Sequence, residues 1–337
     1  MLNNIRIENF GPITEMVWSD VGKINLVIGA NDSGKTFLLK ALYSAVRTLE
    51  EYRRGDERRS AAEILSEKLY WTFQPEKIGD LVSKGADGPI LFSMMMDEKL
   101  FRYGFGRDTT KQISSIENRV PPRNNNSVFL PAKEVLSLHR VILKSREQYQ
   151  VFGFDDTYLD LARALRQLPN GAGIHASFSR ARKSLEAIVG GKVEYDEKAE
   201  RWQFKKGNQK FLIGVTAEGV KKIAILDTLL GNRYLDTKSI VFIDEPESAL
   251  HPGAISQLMD VVAMLAERGM QFFLSSHSYF VVKKLFLIAQ QKNMSIPIIS
   301  ANDSEWQWDD LKHQMPDNPI INESIALYKQ EVGMALQ

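Results

Sequence analysis

The sequence predicts an α/β fold in which a mixed sheet carries a phosphate-binding loop, an N-terminal antiparallel β layer precedes that loop, and a helical insertion interrupts the chain. Three observations predict this arrangement. Short apolar runs separated by turn residues fill positions 2–28, which is typical of small antiparallel strands. Apolar residues recur at spacings of three and four over 134–189, the period of a helix. After residue 218, helical patterns alternate with short apolar runs, as in an α/β sheet.

Composition restricts the class of protein. The chain has 337 residues, of which 44% are hydrophobic, enough to bury a large core. Its 43 basic and 42 acidic residues give a net charge of +1, so no overall field attracts it to nucleic acid or membranes. It has no cysteine, which excludes disulfides and thiolate sites. With no signal pattern and no apolar stretch near the ~20 residues that span a bilayer, we expect a cytoplasmic protein without membrane contact.

The phosphate-binding loop occupies residues 29–36, which read Gly-Ala-Asn-Asp-Ser-Gly-Lys-Thr and match G-x-x-x-x-G-K-[ST]. The apolar run 24–28 predicts a strand before the loop, and apolar residues at helical spacing after it predict a helix. Glycines let successive backbone N–H groups face phosphates, while the lysine supplies a mobile charge and the threonine hydroxyl suits Mg²⁺. We therefore predict binding of a nucleoside triphosphate by Gly29, Asn31, Asp32, Ser33, Gly34, Lys35 and Thr36.

The second half of the predicted site follows two later strands. Asp244 and Glu245 end the apolar run 240–243, at the strand edge where α/β sheets bind ligands. Asp244 suits holding Mg²⁺ together with Thr36, and Glu245 suits polarising the water that attacks the γ-phosphate. His277 follows the strand 271–274 and suits a hydrogen bond to the γ-phosphate. Lys35, Glu245 and His277 are thus the predicted catalytic residues.

These segments carry a resemblance to a known superfamily. Residues 243–252 (Ile-Asp-Glu-Pro-Glu-Ser-Ala-Leu-His-Pro) and 275–278 (Ser-Ser-His-Ser) resemble the Walker B segment, D-loop and switch histidine of ABC-type ATPases. They are most similar to the soluble AAA/ABC-type ATPases of the SMC and OLD (overcoming lysogenization defect) kind. The likeness covers residues 1–48 and about 190–300. It implies a P-loop NTPase fold of the ABC-ATPase head type.

The resemblance also implies an organisation and a set of ligands. Residues 1–337 would form a single head, with 134–189 as an arm or partner-docking lobe within it. The expected ligands are ATP and Mg²⁺. Two heads would form a homodimer around two ATP molecules, in which ATP binding closes the dimer and hydrolysis opens it.

The signature loop of that family has a divergent candidate at residues 216–222, 27 residues before Asp244 when counted from Ala217. Ala217 stands where the family usually has serine, and Glu218 replaces the first glycine, while Gly219 is retained. The resemblance implies that this segment contacts the γ-phosphate bound by the opposite subunit, with one hydroxyl contact missing. This departure argues against fast hydrolysis but not against nucleotide binding, because the helix N-terminus and the Gly219 backbone are still able to bind phosphate. No glutamine of the Q-loop follows the strand 128–130, where Lys133 is either its substitute or an ordinary surface lysine.

The leading hypothesis is a soluble ATPase that gates a separate effector protein, a nuclease or a toxin. Resemblance to the SMC and OLD groups implies DNA-related work or antiphage defence. One alternative is the nucleotide-binding subunit of an ABC transporter, against which stand the missing Q-loop glutamine and the spacing of 182 positions from Lys35 to Ala217. Another alternative is a nucleotide-gated scaffold with little hydrolysis, which Ala217 favours.

Two further candidate sites are weaker. Only 60 residues follow His277, too few for the nuclease domain of OLD proteins, so no nuclease activity is assigned to this chain. The acids and tryptophans of residues 305–310 are predicted to form a solvated turn. Arg180, Arg182 and Lys183 form the best local basic cluster for DNA, with a solvated helix face as the alternative.

Overall fold

The computed structural model describes residues 1–167, 178–302 and 305–335, which form three β-sheets and nine α-helices. Residues 168–177 of the predicted insertion lie outside the described residues. The strands are β1 (Leu2–Phe10), β2 (Ile13–Trp18), β3 (Ile24–Gly29), β4 (Ile90–Met96), β5 (Lys99–Phe105), β6 (Ser115–Asn118), β7 (Val128–Leu130), β8 (Lys192–Asp196), β9 (Arg201–Lys206), β10 (Gln209–Leu212), β11 (Ile240–Asp244), β12 (Gln271–Ser276), β13 (Pro297–Asn302) and β14 (Glu305–Asp310). The helices are α1 (Lys35–Glu51), α2 (Ala61–Phe73), α3 (His139–Leu143), α4 (Asp156–Arg166), α5 (Ser179–Val189), α6 (Glu218–Gly231), α7 (Pro252–Glu267), α8 (Tyr279–Lys292) and α9 (Pro319–Ala335). No helix in these three ranges is long and apolar enough to cross a membrane.

A six-stranded sheet positions the candidate site, in the order β14-β13-β3-β12-β11-β7. All neighbouring pairs are parallel except β13 and β14, which are antiparallel. The carboxyl ends of β3, β11 and β12 therefore meet at one edge of the sheet, where α/β folds bind ligands. The mixed sheet predicted from the sequence is confirmed.

The N-terminal β layer is a separate five-stranded antiparallel sheet in the order β2-β1-β4-β5-β6. Apolar residues of this layer, of α1 and of one face of the central sheet share a single buried cluster, which includes Phe10, Leu42 and Phe273. The helix that follows the phosphate-binding loop is thus packed in the same core as both sheets. This arrangement agrees with the predicted antiparallel layer.

The two faces of the central sheet bury different clusters because side chains alternate along each strand. In β11, Ile240 and Phe242 belong to the cluster shared with α1, whereas Val241 and Ile243 belong to the second cluster. That second cluster also takes residues from α4 to α8. Burial of both faces explains why these strands read as continuous apolar runs.

The middle of the chain is helical where it is described, as predicted for 134–189. It contains α3, one π-helical turn at Lys144–Gln148, α4 and α5. The hairpin predicted after it is present and is extended by β10 into a three-stranded antiparallel sheet in the order β10-β9-β8.

The prediction of a solvated turn at residues 305–310 is wrong, because Glu305–Asp310 forms strand β14 at the edge of the central sheet. Trp306 packs against the core cluster shared with α1. Asp310 ends the strand, where its carboxylate accepts hydrogen bonds from the backbone N–H groups of Ile296 (3.0 Å) and Lys312 (2.8 Å). The aromatic residues therefore pair and pack, and this acid caps a turn at the end of the strand.

Candidate nucleotide site

The predicted loop joins the end of β3 to the start of α1, and its glycines are required by its geometry. Gly34 has φ of +88° and immediately precedes α1. Gly29 has φ of +154°, and a Cβ built on it would lie 2.7 Å from Ser33 Oγ and 2.8 Å from the carbonyl oxygen of Ala301. Side chains at these two positions would strain the backbone or clash. Both positions of the motif therefore require glycine in this fold.

Two side-chain donors, those of Lys35 and Ser33, are buried inside the loop. Lys35 is 6% exposed and its Nζ donates to the carbonyl oxygens of Gly29 (3.0 Å) and Ala30 (2.6 Å). Burial lowers its pKa, and the carboxylates of Glu245 and Asp244 oppose that shift. Ser33 Oγ is buried without a hydrogen-bond partner. Since a buried hydroxyl without a partner is unfavourable, these donors and the N-terminus of α1 fit a polyphosphate.

The two predicted metal ligands lie together. Thr36 Oγ1 donates to both carboxylate oxygens of Asp244, at 2.9 and 3.0 Å. Ser275, at the end of β12, also donates its hydroxyl to Asp244. A hydroxyl beside a carboxylate is an oxygen ligand set of the kind that Mg²⁺ prefers, so these residues fit the ion. Ser275 is a contact of the predicted metal ligand Asp244 that was not predicted from the sequence.

The predicted catalytic acid and histidine also meet at this edge. Glu245 follows β11 with φ of +47°, and its backbone N–H donates to the carbonyl oxygen of Ser275 at 3.0 Å. His277 Nδ1 lies 3.5 Å from Glu245 Oε1, longer than an ordinary hydrogen bond. The side chain of Glu245 is 34% exposed and that of His277 is 46% exposed. Glu245 and His277 are therefore adjacent and accessible to a ligand.

Glu247 fixes the strand end that carries His277, a role that the sequence analysis missed. Its Oε1 accepts from Ser276 Oγ (2.8 Å) and from the backbone N–H of His277 (3.0 Å). Its other oxygen, Oε2, is buried without a partner. Glu247 is an acid only two residues after Glu245, and this spacing is the signal that could have indicated its role.

Lys222 was also missed, although it contacts the same segment from α6. Its Nζ donates to the backbone carbonyl oxygens of Asp244 (2.8 Å) and Glu245 (2.5 Å). Burial lowers its pKa to about 8, opposed by the nearby carboxylates of Asp244, Glu247 and Glu245. Lys222 shares the buried side of α6 with Leu226, and a lysine at an apolar helical position was the available signal.

The candidate signature segment lies beside the same turn. Ala217 precedes α6 without a side-chain cap, and Ala217 and Glu218 are exposed. A Cβ on Gly219 would lie 2.5 Å from Leu250 Cδ2 and 2.6 Å from the carbonyl oxygen of Ala249, so only glycine fits. Within the described part of the chain, no hydrogen bond or ion pair joins residues 217–219 to the loop 29–36. The structure thus leaves a contact with a second chain's nucleotide as a prediction.

The basic cluster predicted for DNA is smaller than its sequence indicates. Arg182 Nε lies 2.7 Å from Asp227 Oδ1 on α6, so its charge is balanced within the fold. Arg180 and Lys183 are exposed on α5. Two charges rather than three remain for a nucleic-acid contact.

Together, the sheet order and the groups at its carboxyl edge define a P-loop ATPase head of the ABC type. A family profile described as "AAA domain, putative AbiEii toxin, Type IV TA system" matches residues 24–283. The chain belongs to that family. No curated protein matches the chain significantly.

Several solved structures share the fold over nearly the whole chain. One is the Smc head bound to the C-winged helix domain of ScpA, with 13% identity, a TM-score of 0.52 and coverage of 92% of this chain and 97% of the other. A second is the SMC head domain from Thermotoga maritima, with 12% identity, a TM-score of 0.50 and coverage of 92% of this chain and 98% of the other. A third is the Smc head with an extended coiled coil bound to the C-terminal domain of ScpA, derived from Pyrococcus furiosus. It has 11% identity, a TM-score of 0.51 and coverage of 98% of each chain. At these identities the likeness concerns the fold alone, and it confirms the predicted ABC-type head.

Proposed function

We propose that this chain binds ATP with Mg²⁺ at residues 29–36, hydrolyses it, and uses the cycle to gate a partner effector. The observation that carries this proposal is the hydrogen bond of 2.9 Å between Thr36 Oγ1 and Asp244 Oδ1. It joins the phosphate-binding loop to the acid after β11, next to Glu245 and His277. A loop, an acid pair and a histidine at one strand edge suit γ-phosphate hydrolysis, because they can hold the phosphates and the metal ion, accept a proton from water and donate a hydrogen bond.

Each residue has a definable part in the reaction. Lys35 Nζ would exchange its two loop carbonyls for phosphate oxygens, and Ser33 Oγ would gain its missing acceptor. Thr36 and Asp244 would hold Mg²⁺, which when bound neutralises phosphate charge. Glu245 would take a proton from the attacking water. The oxygen of that water would bond to the γ-phosphorus while the bond between the γ-phosphorus and the leaving oxygen breaks. His277 would donate a hydrogen bond to the γ-phosphate.

The proposed assembly is a homodimer of single heads, with ATP between them. The exposed residues Ala217 and Glu218 support it, because the start of α6 faces solvent and is free to meet a second chain. Two of the similar solved heads are bound to ScpA domains, which supports a separate protein partner here. The family description refers to a toxin of toxin–antitoxin systems, which supports work in defence. The insertion 134–189 is the proposed arm for that partner, and DNA is a second proposed ligand of the assembly.

A second candidate function is a nucleotide-gated scaffold with little turnover. Ala217 favours it, because this position offers no hydroxyl to a γ-phosphate. In that case ATP binding would set the shape of the assembly and hydrolysis would only limit its lifetime.

The Lys35→Ala and Glu245→Gln variants test the proposal, with Glu331→Gln on the exposed face of α9 as the control. We expect Lys35→Ala to abolish ATP binding, since it removes the mobile cation. Glu245→Gln should keep ATP affinity, lose hydrolysis, and become more dimeric with ATP and Mg²⁺, as measured by light scattering. ATP binding by Lys35→Ala at the wild-type level contradicts the site. If the wild-type protein binds ATP but its turnover is below detection, the result supports the scaffold function instead.

A further inference from the structure

An aromatic side chain lies against the phosphate-binding loop from the C-terminal part of the chain. Trp306 is in register with Gly29 through the strand between them, since Ala301 pairs with both. A Cβ built on Gly34 would lie 3.7 Å from Trp306 Cζ2 and 3.0 Å from Pro12 Cγ. The indole is only partly buried. Trp306 and Pro12 therefore border the loop at its junction with α1.

The order of the strands sets the direction in which a nucleotide lies. Asp244 follows β11 and His277 follows β12, both on one side of β3. The γ-phosphate end of a nucleotide in the loop must point to that side, where the predicted base and metal ligands lie. The ribose and base leave the loop in the other direction. On that side of β3 the sheet continues with β13 and β14, and β14 starts at the same edge of the sheet with Glu305 and Trp306.

Two other aromatic residues near the loop, Phe10 and Phe37, pack against neighbouring rings. Phe10 is fully buried. The ring of Phe37 packs edge-on against Phe10, with 5.1 Å between the ring centroids, and tilted against Phe73, with 4.5 Å between the centroids. It also covers Gly11, where a Cβ would lie 2.3 Å from the ring. The partly exposed indole of Trp306 offers a flat surface next to the loop.

We propose that Trp306 is the platform on which the base of the nucleotide stacks, with Pro12 beside it. This inference rests on the proposed nucleotide binding and adds the part of the site that recognises the nucleoside. Aromatic side chains stack on bases through their π faces, with little dependence on the hydrogen-bonding edge. The ligand class is therefore a nucleoside triphosphate, and the stacking itself discriminates weakly between bases.

A ligand without a base separates this contact from phosphate binding. Dissociation constants for ATP and for inorganic tripolyphosphate, each with Mg²⁺, would be measured for the wild type, Trp306→Ala, Trp306→Phe and Trp308→Ala. Trp308 is the matched control, because it lies on the same strand about 7 Å further from the loop and is 52% exposed. Loss of one base stack corresponds to roughly a tenfold weaker affinity.

We expect Trp306→Ala to weaken ATP binding about tenfold and to leave tripolyphosphate binding unchanged. Trp306→Phe should retain most of the ATP affinity, and Trp308→Ala should change neither ligand. Equal weakening of both ligands, or unchanged ATP affinity, overturns the platform. In the folded wild type, ATP should alter tryptophan fluorescence and tripolyphosphate should not, and Trp306→Phe should remove the difference. A Lys35→Ala variant that binds both ligands normally refutes the proposed function itself, whatever Trp306 does.

Discussion

Lys222 Nζ lies 2.5 Å from the backbone carbonyl oxygen of Glu245 and so ties helix α6 to the turn that carries the proposed base. Glu245 adopts φ of +47°, a conformation that costs a non-glycine residue on the order of 1–3 kcal/mol unless its surroundings impose it. The lysine supplies part of that constraint. Because α6 begins at the candidate signature segment, the same helix connects the proposed contact between subunits with the position of Glu245.

Lys222→Met should slow hydrolysis with little loss of ATP affinity. Methionine keeps the buried aliphatic volume but cannot bond the two carbonyls, so Glu245 loses its fixed position. A displacement of about 1 Å in a reacting group can cost on the order of a hundredfold in rate. Single-turnover rates and ATP dissociation constants measured together would separate the two effects.

The matched control for this variant is Lys221→Met. Lys221 is the neighbouring buried lysine, and its Nζ bonds Glu218 Oε1 (2.9 Å) and Ser137 Oγ (3.1 Å) instead of the turn. If both variants slow hydrolysis equally, or if Lys222→Met weakens ATP binding as much as turnover, the positioning role is wrong. Thermal melts of both proteins show whether the folded fraction is unchanged.

Ala217→Ser should increase turnover, because it restores a hydroxyl that can donate to a partner's γ-phosphate. One hydrogen bond to a charged group contributes about 1.5–3 kcal/mol, so a gain of roughly tenfold or more is expected. Serine would also cap α6, whose start lacks a side-chain cap, and raise stability by about 1 kcal/mol. Steady-state ATPase rates and thermal melts distinguish the two effects.

Ala217→Asp provides the control, since aspartate caps a helix as well as serine does but repels phosphate. It should stabilise the fold without any gain in turnover. An Ala217→Arg variant with wild-type rates would show that this segment does not approach the nucleotide.

Asp160→Asn should destabilise the fold through the buried charges between α1, α2 and α4. Asp160 Oδ2 accepts from the Tyr43 hydroxyl at 2.9 Å and lies 3.2 Å from Lys68 Nζ and 3.5 Å from Arg47 Nε. Removing one partner of a buried ion pair costs about 3–5 kcal/mol. Urea unfolding at neutral pH measures the loss, and Glu147→Gln in the exposed pair with Arg163 should cost less than about 1 kcal/mol.

The pH dependence of the Asp160→Asn effect has a definite sign. Burial opposes ionisation of Asp160, but the charges of Lys68 and Arg47 outweigh it and hold its pKa below the ordinary value. A carboxyl with a lowered pKa in the folded state stabilises the protein above its unfolded pKa of about 3.9. That stabilisation is lost as the pH falls further. The difference in unfolding free energy between wild type and variant should therefore shrink below about pH 4, and a difference independent of pH contradicts the assignment.

The sequence predicted the parts of the fold and site that depend on local patterns. The loop 29–36 and the pair Asp244-Glu245 each follow an apolar run, so their place at the ends of strands is visible in the chain. Lys222 and Glu247 carried only indirect signals, a lysine at an apolar helical position and an acid two residues after Glu245, because their partners lie on other elements and only packing brings them together. Strand β14 was missed because its alternation of tryptophan and glutamine lies between acids, which by themselves indicate a turn.

His277→Ala should slow hydrolysis with a smaller effect on ATP affinity, and Glu247→Ala should act through the same histidine. Glu247 Oε1 accepts from the backbone N–H of His277, so removing it leaves the histidine present but poorly placed. Residues that act through one another give non-additive effects in a double-mutant cycle. The double variant should therefore be about as slow as His277→Ala alone. If the rate losses multiply, Glu247 acts independently of His277, and its bonds to the end of β12 only stabilise the fold.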